Sequence, residues 1–229
     1  MRRIGFQPLD KRLVNEREEE KRTPGRMAWL LIFFLSYLLG SIPWGYLFAR
    51  LKGIDIRQQG SGNIGTANVL RVMGKKWGYL VFLCDFFKGF LSVKLGSLIA
   101  AYFLVDLSLA SVIAAIACVL GHDYPIWLGF KGGKGIATLA GAVLSIFPPL
   151  VFVSFGVVWI AVFLIGRYTS LASISAAVAL PIAVALIVAK TDFPLLVGFS
   201  VLMGALAIWR HRSNIVRLLN GTENRFGKK

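Results

Sequence analysis

Leu150-Val-Phe-Val-Ser-Phe-Gly-Val-Val-Trp-Ile-Ala-Val-Phe-Leu-Ile165 runs for sixteen residues without a charged side chain. Pro148-Pro149 precede it and Arg167 follows it. A helix needs about 20 apolar residues to cross the hydrocarbon core of a bilayer, and this run approaches that length. Similar runs lie on both sides of it. Downstream are Leu171–Ala189 and Leu195–Trp209; upstream are Ile136–Phe147, about Leu107–Leu120, Trp77 to about Val105, and residues 27–49. The run 136–147 is short and reads as a short or a re-entrant span. The run 27–49 is interrupted at Ser41-Ile-Pro43, where proline removes a backbone donor and predicts a kink. The pattern predicts an all-α polytopic membrane protein of about seven transmembrane helices, with one integral-membrane domain over residues 27–229.

Composition agrees with that class. Hydrophobic residues make up 56% of the chain, charged residues 16%, and the mean hydropathy is +0.69. A soluble domain carries roughly a quarter charged residues. The net charge of +15 does not point to nucleic acid, because the basic residues flank apolar runs instead of forming one soluble face. There they meet anionic lipid head groups or an acidic substrate. Cys84 and Cys118 lie inside apolar stretches, have no metal-ligand spacing, and read as small core residues. Residues 1–26 form a charged tail, disordered or partly helical, without the apolar region of a secretory signal. Met27 opens the first apolar run, so translation starting there is an alternative reading of the tail.

The distribution of basic residues predicts orientation. Residues 50–76 hold six Lys or Arg against one acid, and the end of the chain from Arg210 holds six more. Lys131, Lys134 and Arg167 lie in the loops between, whereas the connections near Asp106, Pro148 and Asp192 carry only Lys190. Every glycine-rich or basic motif is therefore expected on the cytoplasmic side. Seven spans would put the N-terminus outside, which conflicts with the eight basic residues of the tail; the internal loops agree with one another and carry more weight.

Four polar clusters share that face. The sharpest is Gly129-Phe-Lys-Gly-Gly-Lys-Gly135. Glycine lets backbone N–H groups approach a ligand, and lysine supplies compact positive charge, so this stretch suits a phosphate, or else merely orients the protein in the membrane. It is not a nucleotide P-loop: Gly129 is one residue too close to the Gly-Lys pair, and Gly135 stands where Ser or Thr would hold magnesium. The second cluster is Gly60-Ser-Gly-Asn-Ile-Gly-Thr-Ala-Asn-Val-Leu-Arg71. Ser61 or Asn63 is expected to cap a helix beginning there, leaving N–H groups for an anion. On that helix Asn63, Ala67 and Arg71 would share a stripe, with Thr66 beside it. The third is Arg167-Tyr-Thr-Ser170. The fourth is Arg210-His-Arg-Ser-Asn214, where His211 and Asn214 lie about one helical turn apart.

Plainer readings exist for each. Arg71, Arg210 and Arg212 also fit ordinary interfacial arginines, Ser170 a helix cap, and His211 an interfacial histidine. Asp85 and Lys88, one turn apart within a span, read as a structural ion pair. The coincidence of four phosphate-friendly clusters on one face favours a site.

At these residues the chain resembles the acyl-phosphate:glycerol-3-phosphate acyltransferases of bacteria, the PlsY type. The resemblance covers roughly residues 27–226. It rests on GSGNIGTANVLR, GHDYPIWLGFKGGKG and RHRSNIVRLL, with weaker echoes at GSIPWG, CDFFKG and RYTSLASI. It implies acyl transfer from acyl phosphate to the 1-hydroxyl of glycerol 3-phosphate, giving lysophosphatidic acid and phosphate for phospholipid synthesis in the bacterial inner membrane. Carried over by position, Ser61, Arg71, Lys134, His211 and Asn214 are the expected catalytic set. Gly60, Gly62, Asn63, Thr66, Asn68, Lys131, Gly132, Gly133, Gly135, Ser170 and Arg212 are the expected substrate- and phosphate-binding residues. One departure is the order Thr66-Ala67, where the family usually reads Ala-Thr; this moves the hydroxyl about 100° round a helix.

The chemistry suits these residue types. An acyl phosphate is already activated, so the lack of a Ser-His-Asp arrangement is no objection. Lysine, arginine and N–H donors must hold two phosphates that repel, and stabilise the charge on the one that leaves. His211 is a candidate base, His122 a lesser one; the resemblance implies that the departing phosphate itself takes the proton. Other acyltransferases that use His followed five residues later by Asp do not fit, since Trp127 and Val216 stand there. The six acids after the tail are scattered, so no metal and no cofactor is expected. Expected partners are glycerol 3-phosphate, acyl phosphate and the bilayer, and a soluble acyl-phosphate-forming enzyme is a candidate at the basic cytoplasmic surface. The alternative from another class is a transporter or channel for an organic phosphate or other anion. Transporters tend to place polar groups at the midplane, whereas these cluster at one face.

Overall fold

A computed structural model describes residues 11–188 and 193–227, with side chains over 25–188 and 194–227. The described residues form ten α-helices in order: α1 Lys11–Ser41, α2 Trp44–Leu51, α3 Thr66–Met73, α4 Lys75–Phe103, α5 Leu107–Asp123, α6 Ile136–Ile146, α7 Pro149–Gly166, α8 Thr169–Ile187, α9 Phe193–Arg210 and α10 Arg212–Leu219. Short 3-10 turns at Ile56–Gln58 and Ile126–Leu128 punctuate two of the loops. The described residues contain no strand. The all-helical membrane class is as expected.

Among the described residues, four stretches are by length and composition alone long and apolar enough to cross a bilayer: Gly25–Leu51, Leu107–Leu128, Pro149–Gly166 and Thr169–Ile187. A fifth is reached by joining α9 and α10, which bend by 58° at His211. Helix α4 has 29 residues, about 44 Å at 1.5 Å per residue, and carries Asp85, Lys88 and Lys94 within its length. Helix α6 has 11 residues, about 16 Å at 1.5 Å per residue, roughly half the hydrocarbon thickness.

The break expected at Pro43 is present between α1 and α2, and the buried Lys88 ammonium occupies it by donating to the Ile42 carbonyl at 3.1 Å. Residues 1–10 of the charged tail fall outside the described region, and α1 runs from Lys11 through Met27 to Ser41.

Small residues let the helices approach closely, the usual solution where lipid removes the hydrophobic incentive to associate. A Cβ on Gly89 would land on the Thr138 carbonyl, and one on Gly141 on the Phe86 carbonyl, so α4 and α6 touch backbone to backbone. Gly40 and Gly121 seat α1 on α5 in the same way. Leu139, Val143, Phe147, Phe155, Leu180, Phe199 and Met203 fill the centre between α6, α7, α8 and α9. Leu98, Ile165 and Leu186 face outward, as lipid-facing side chains do. With Asp85, Lys88 and His122 buried behind it, the end of the bundle that carries the basic loops becomes the polar pole.

Candidate active site

The 60–71 motif is built around Asn68, which is 2% exposed. Its amide oxygen accepts from the Ser61 N–H at 2.8 Å, and its amide nitrogen donates to the Asn63 and Gln59 carbonyls at 2.9 and 3.0 Å. Gly60, at φ 59°, passes so close to this amide that a Cβ would strike it. Helix α3 begins at Thr66 with Gly65 as N-cap and no side-chain cap, five residues later than Ser61 and three later than Asn63. The expected cap and the Asn63–Ala67–Arg71 stripe are therefore corrected. Asn63 is spent on the Gly65 N–H at 2.8 Å, and both asparagines shape the loop. The buried Thr66 hydroxyl has no partner among the described residues.

The glycines of the lysine island also differ in role. Gly132 donates its N–H to the Asp123 carbonyl at 3.1 Å, and Gly133 donates to the His122 carbonyl at 3.0 Å. Neither N–H is left to cradle an anion. These glycines serve packing: a Cβ on Gly132 would meet the His122 carbonyl and Pro125, and one on Gly133 the His122 imidazole. Gly135, at φ 71°, takes the left-handed conformation that starts α6. His122 stands behind this loop with Nδ1 3.5 Å from Asp85, which pairs with Lys88 at 2.9 Å. The expected Asp85–Lys88 pair is real, and His122 belongs to it behind the loop, outside the lining of the cavity.

What the island offers to a ligand is the Lys134 side chain. Its ammonium donates to the Asn214 side-chain oxygen, and Asn214 in turn donates from its amide nitrogen to Glu223 at 2.7 Å. The Ser170 hydroxyl (2.9 Å) and Arg217 Nε (2.7 Å) donate to the same carboxylate. Burial alone would raise the Glu223 pKa, but donors from Asn214, Arg217 and Ser170 outweigh it and hold the carboxyl below its usual range. Lys134 also shifts down, which for a lysine disfavours the charged form. Burial, then the positive charge of Arg217 and, more weakly, of Arg210 and Arg71, lowers its pKa to about 8.

The segment after α10 returns across this cluster. Phe226 donates its N–H to the Arg167 carbonyl at 2.9 Å, packs its ring on Phe163, and carries the Arg71 guanidinium 5.5 Å above it. His211 sits at the bend, buried, with Nδ1 2.8 Å from the Ala207 carbonyl. Since a carbonyl only accepts, Nδ1 carries a proton, and the neutral ring has Nε2 free of one. Arg212 does not join the cluster. It is exposed, lies over Trp209 at 4.8 Å, and donates to the Trp209 carbonyl.

A cavity of about 450 Å³ meets this cluster at Lys134 and Arg217 and is lined among others by Ser61, Lys131, Arg210 and Ser213; Arg71, Ser170, His211, Asn214 and Glu223 are not in its lining. Gly62, Asn63 and Gly132 also line it. Arg217 and Glu223 were not anticipated; charged residues in a terminal segment read as solvated, and only the Asn214 to Arg217 helical spacing hinted at a shared face. Residues 30–221 match the family model for glycerol-3-phosphate acyltransferase. The chain belongs to that family. It is 46% identical over 201 residues to the glycerol-3-phosphate acyltransferase of Aquifex aeolicus, covering 87% of this chain and all of that one. The glycerol-3-phosphate acyltransferase of Desulforamulus reducens is 45% identical, with 87% and 96% covered. A solved structure of PlsY (YgiH), an integral membrane glycerol 3-phosphate acyltransferase in its glycerol 3-phosphate form, superposes with a TM-score of 0.77 at 43% identity, over 87% of this chain and 96% of that one. The acyltransferase family accounts for the polar groups gathering at one pole, where a transporter would place them near the midplane.

Proposed function

We propose that this integral membrane protein transfers a fatty acyl group from acyl phosphate to the 1-hydroxyl of glycerol 3-phosphate, releasing lysophosphatidic acid and phosphate. The observation that carries the reading is the cavity lined by Lys134, Lys131 and Arg217, at the end of a bundle whose outer face is apolar. Two anions need such a place, and the acyl chain needs lipid beside it. The excess of basic residues in these loops supports a cytoplasmic orientation of the pole, in a bacterial inner membrane on this reading.

In this mechanism the glycerol hydroxyl oxygen attacks the acyl carbonyl carbon, and the bond from that carbon to the phosphate oxygen breaks. The hydroxyl proton passes to the departing phosphate. Lys134, with Arg71 and the Ser61 hydroxyl, stabilises the phosphate charge; one preorganised donor of this kind is worth about 3 kcal/mol. His211 Nε2 accepts from the 2-hydroxyl of glycerol 3-phosphate and so aims the 1-hydroxyl, whose own proton goes to the phosphate. Glu223 engages the amide nitrogen of Asn214 and so fixes its oxygen toward Lys134. Ser170 buttresses the same carboxylate. No metal or cofactor enters the scheme. Purified protein in detergent is given acyl phosphate and labelled glycerol 3-phosphate. Labelled lysophosphatidic acid supports the proposal, since transport needs a sealed compartment; no product from protein that is folded and monodisperse refutes it.

A further inference from the structure

Arg210 ends α9 immediately before His211, where an arginine at a span terminus ordinarily reaches for the head groups. This one turns inward. Its side chain is 14% exposed. Nη2 donates to the Gly133 carbonyl at 2.6 Å, to the Asp123 carbonyl at 3.0 Å and to the Gly132 carbonyl at 3.4 Å, and Nε adds a second bond to Gly133 at 3.2 Å. The guanidinium lies 4.6 Å over the Tyr124 ring, and Nε is 3.6 Å from the Asp123 carboxylate.

The pattern has a direction. Gly132 and Gly133 give their N–H groups to the end of α5 and their carbonyls to Arg210, so the two peptides before Lys134 are held from both sides. The guanidinium that holds them belongs to the residue adjoining His211, four before Asn214. It fixes the distance between the lysine loop and the helix bend that bears the other half of the cluster. We infer that Arg210 is a positioning residue for the acyl-transfer reaction: by clamping the Gly132 and Gly133 carbonyls it sets Lys134 against Asn214 and His211. The inference rests on the acyltransferase reading for the reaction it serves. The chemistry requires guanidinium specifically. A planar fork reaches several carbonyls and a ring face at once, whereas an ammonium is a single point of charge.

The test uses the full-length protein in detergent, with Arg210→Lys and Arg210→Gly beside the wild type. A displacement of about 1 Å costs on the order of 100-fold in rate. Arg210→Lys should lose about that factor in kcat/KM for both substrates, while melting near the wild-type temperature. Free guanidinium ion should restore at least tenfold to Arg210→Gly and nothing to Lys134→Ala. Arg210→Lys within threefold of wild type, or a well-folded Arg210→Gly that guanidinium leaves unrescued, overturns the inference. If Arg210→Gly fails to fold, Tyr124→Leu removes only the ring beneath the guanidinium; a several-fold loss supports the clamp and a wild-type rate contradicts it. Should the wild type itself make no lysophosphatidic acid, the acyltransferase reading fails. Protection of the protein against melting by inorganic phosphate then decides the clamp, which predicts weaker protection in Arg210→Lys and is overturned by equal protection.

Discussion

The Lys134 ammonium donates to the side-chain oxygen of Asn214, a residue eighty positions later in the chain. That bond joins the loop before α6 to the first turn of α10. It leaves the lysine held at one point, with its remaining hydrogens available to a phosphate. Truncation to Lys134→Ala should lower kcat/KM by about 100- to 1,000-fold, the range found when one preorganised charge-stabilising donor is removed. Lys134 is only half-buried in a loop, so the variant should insert and elute as the wild type does. Turnover within a few-fold of wild type would remove Lys134 from the mechanism.

The same lysine predicts opposite pH trends for rate and stability. With its pKa lowered to about 8, chiefly by burial and then by Arg217, the free protein loses the ammonium as pH rises through 8. The rate at low substrate should fall across that window. Stability should move the other way. Between about 8 and the ordinary value of 10.5 the unfolded chain holds the proton that the folded chain has released, so folding becomes more favourable as pH rises. Melting curves and initial rates collected from pH 7 to 10 check both signs. A fall in rate accompanied by a parallel fall in melting temperature would assign the effect to general unfolding.

Glu223 is the hub of the cluster and its side chain is 6% exposed. Glu223→Gln keeps its shape but removes the charge that Ser170, Asn214 and Arg217 share. A hydrogen bond to a charged group contributes about 1.5–3 kcal/mol, so the variant should melt distinctly lower and lose activity through Asn214. The depressed pKa gives the acid side its sign. Glu223 contributes stability above the normal carboxyl range and loses it as pH falls through its lower folded value. Thermal denaturation between pH 3 and 6 should show a smaller acid-induced loss in Glu223→Gln; curves parallel to wild type would mean that the carboxylate is not the hub.

The helical membrane class was legible because apolar runs near the length of a bilayer fit little besides membrane-spanning helices. The four clusters were legible as a set for a related reason: polar residues crowded between such runs must share the few polar surfaces left. What was not legible is how each polar group is spent. Asn63 and Asn68 carry the same side chains whether they cap a helix, bind an anion or fold a loop, and only the position of the α3 start decides among these. Gly132 and Gly133 read as a phosphate cradle because glycine permits close approach, but the approach is to α5 and Arg210. At α4 the buried Asp85 and Lys88 satisfy each other inside a helix of 29 residues, and α6, at 11 residues, has the short length expected of 136–147.

Gly133 and His122 provide the sharpest double substitution. A Cβ at position 133 would fall on the imidazole, and that ring is fixed by the Asp85 carboxylate, so the loop must yield instead. Gly133→Ala should therefore push Lys134 out of register and cost tenfold or more in kcat/KM, with little change in membrane insertion. His122→Ala opens the space. It leaves Asp85 still paired with Lys88 at 2.9 Å, so it creates no lone buried charge. Placed together, the two substitutions should fit, and the double variant should be more active than Gly133→Ala alone, a coupling of about 0.5–3 kcal/mol for residues in contact. If the two losses simply add, the glycine is needed for something other than room beside the imidazole, and its carbonyl bond to Arg210 becomes the next suspect.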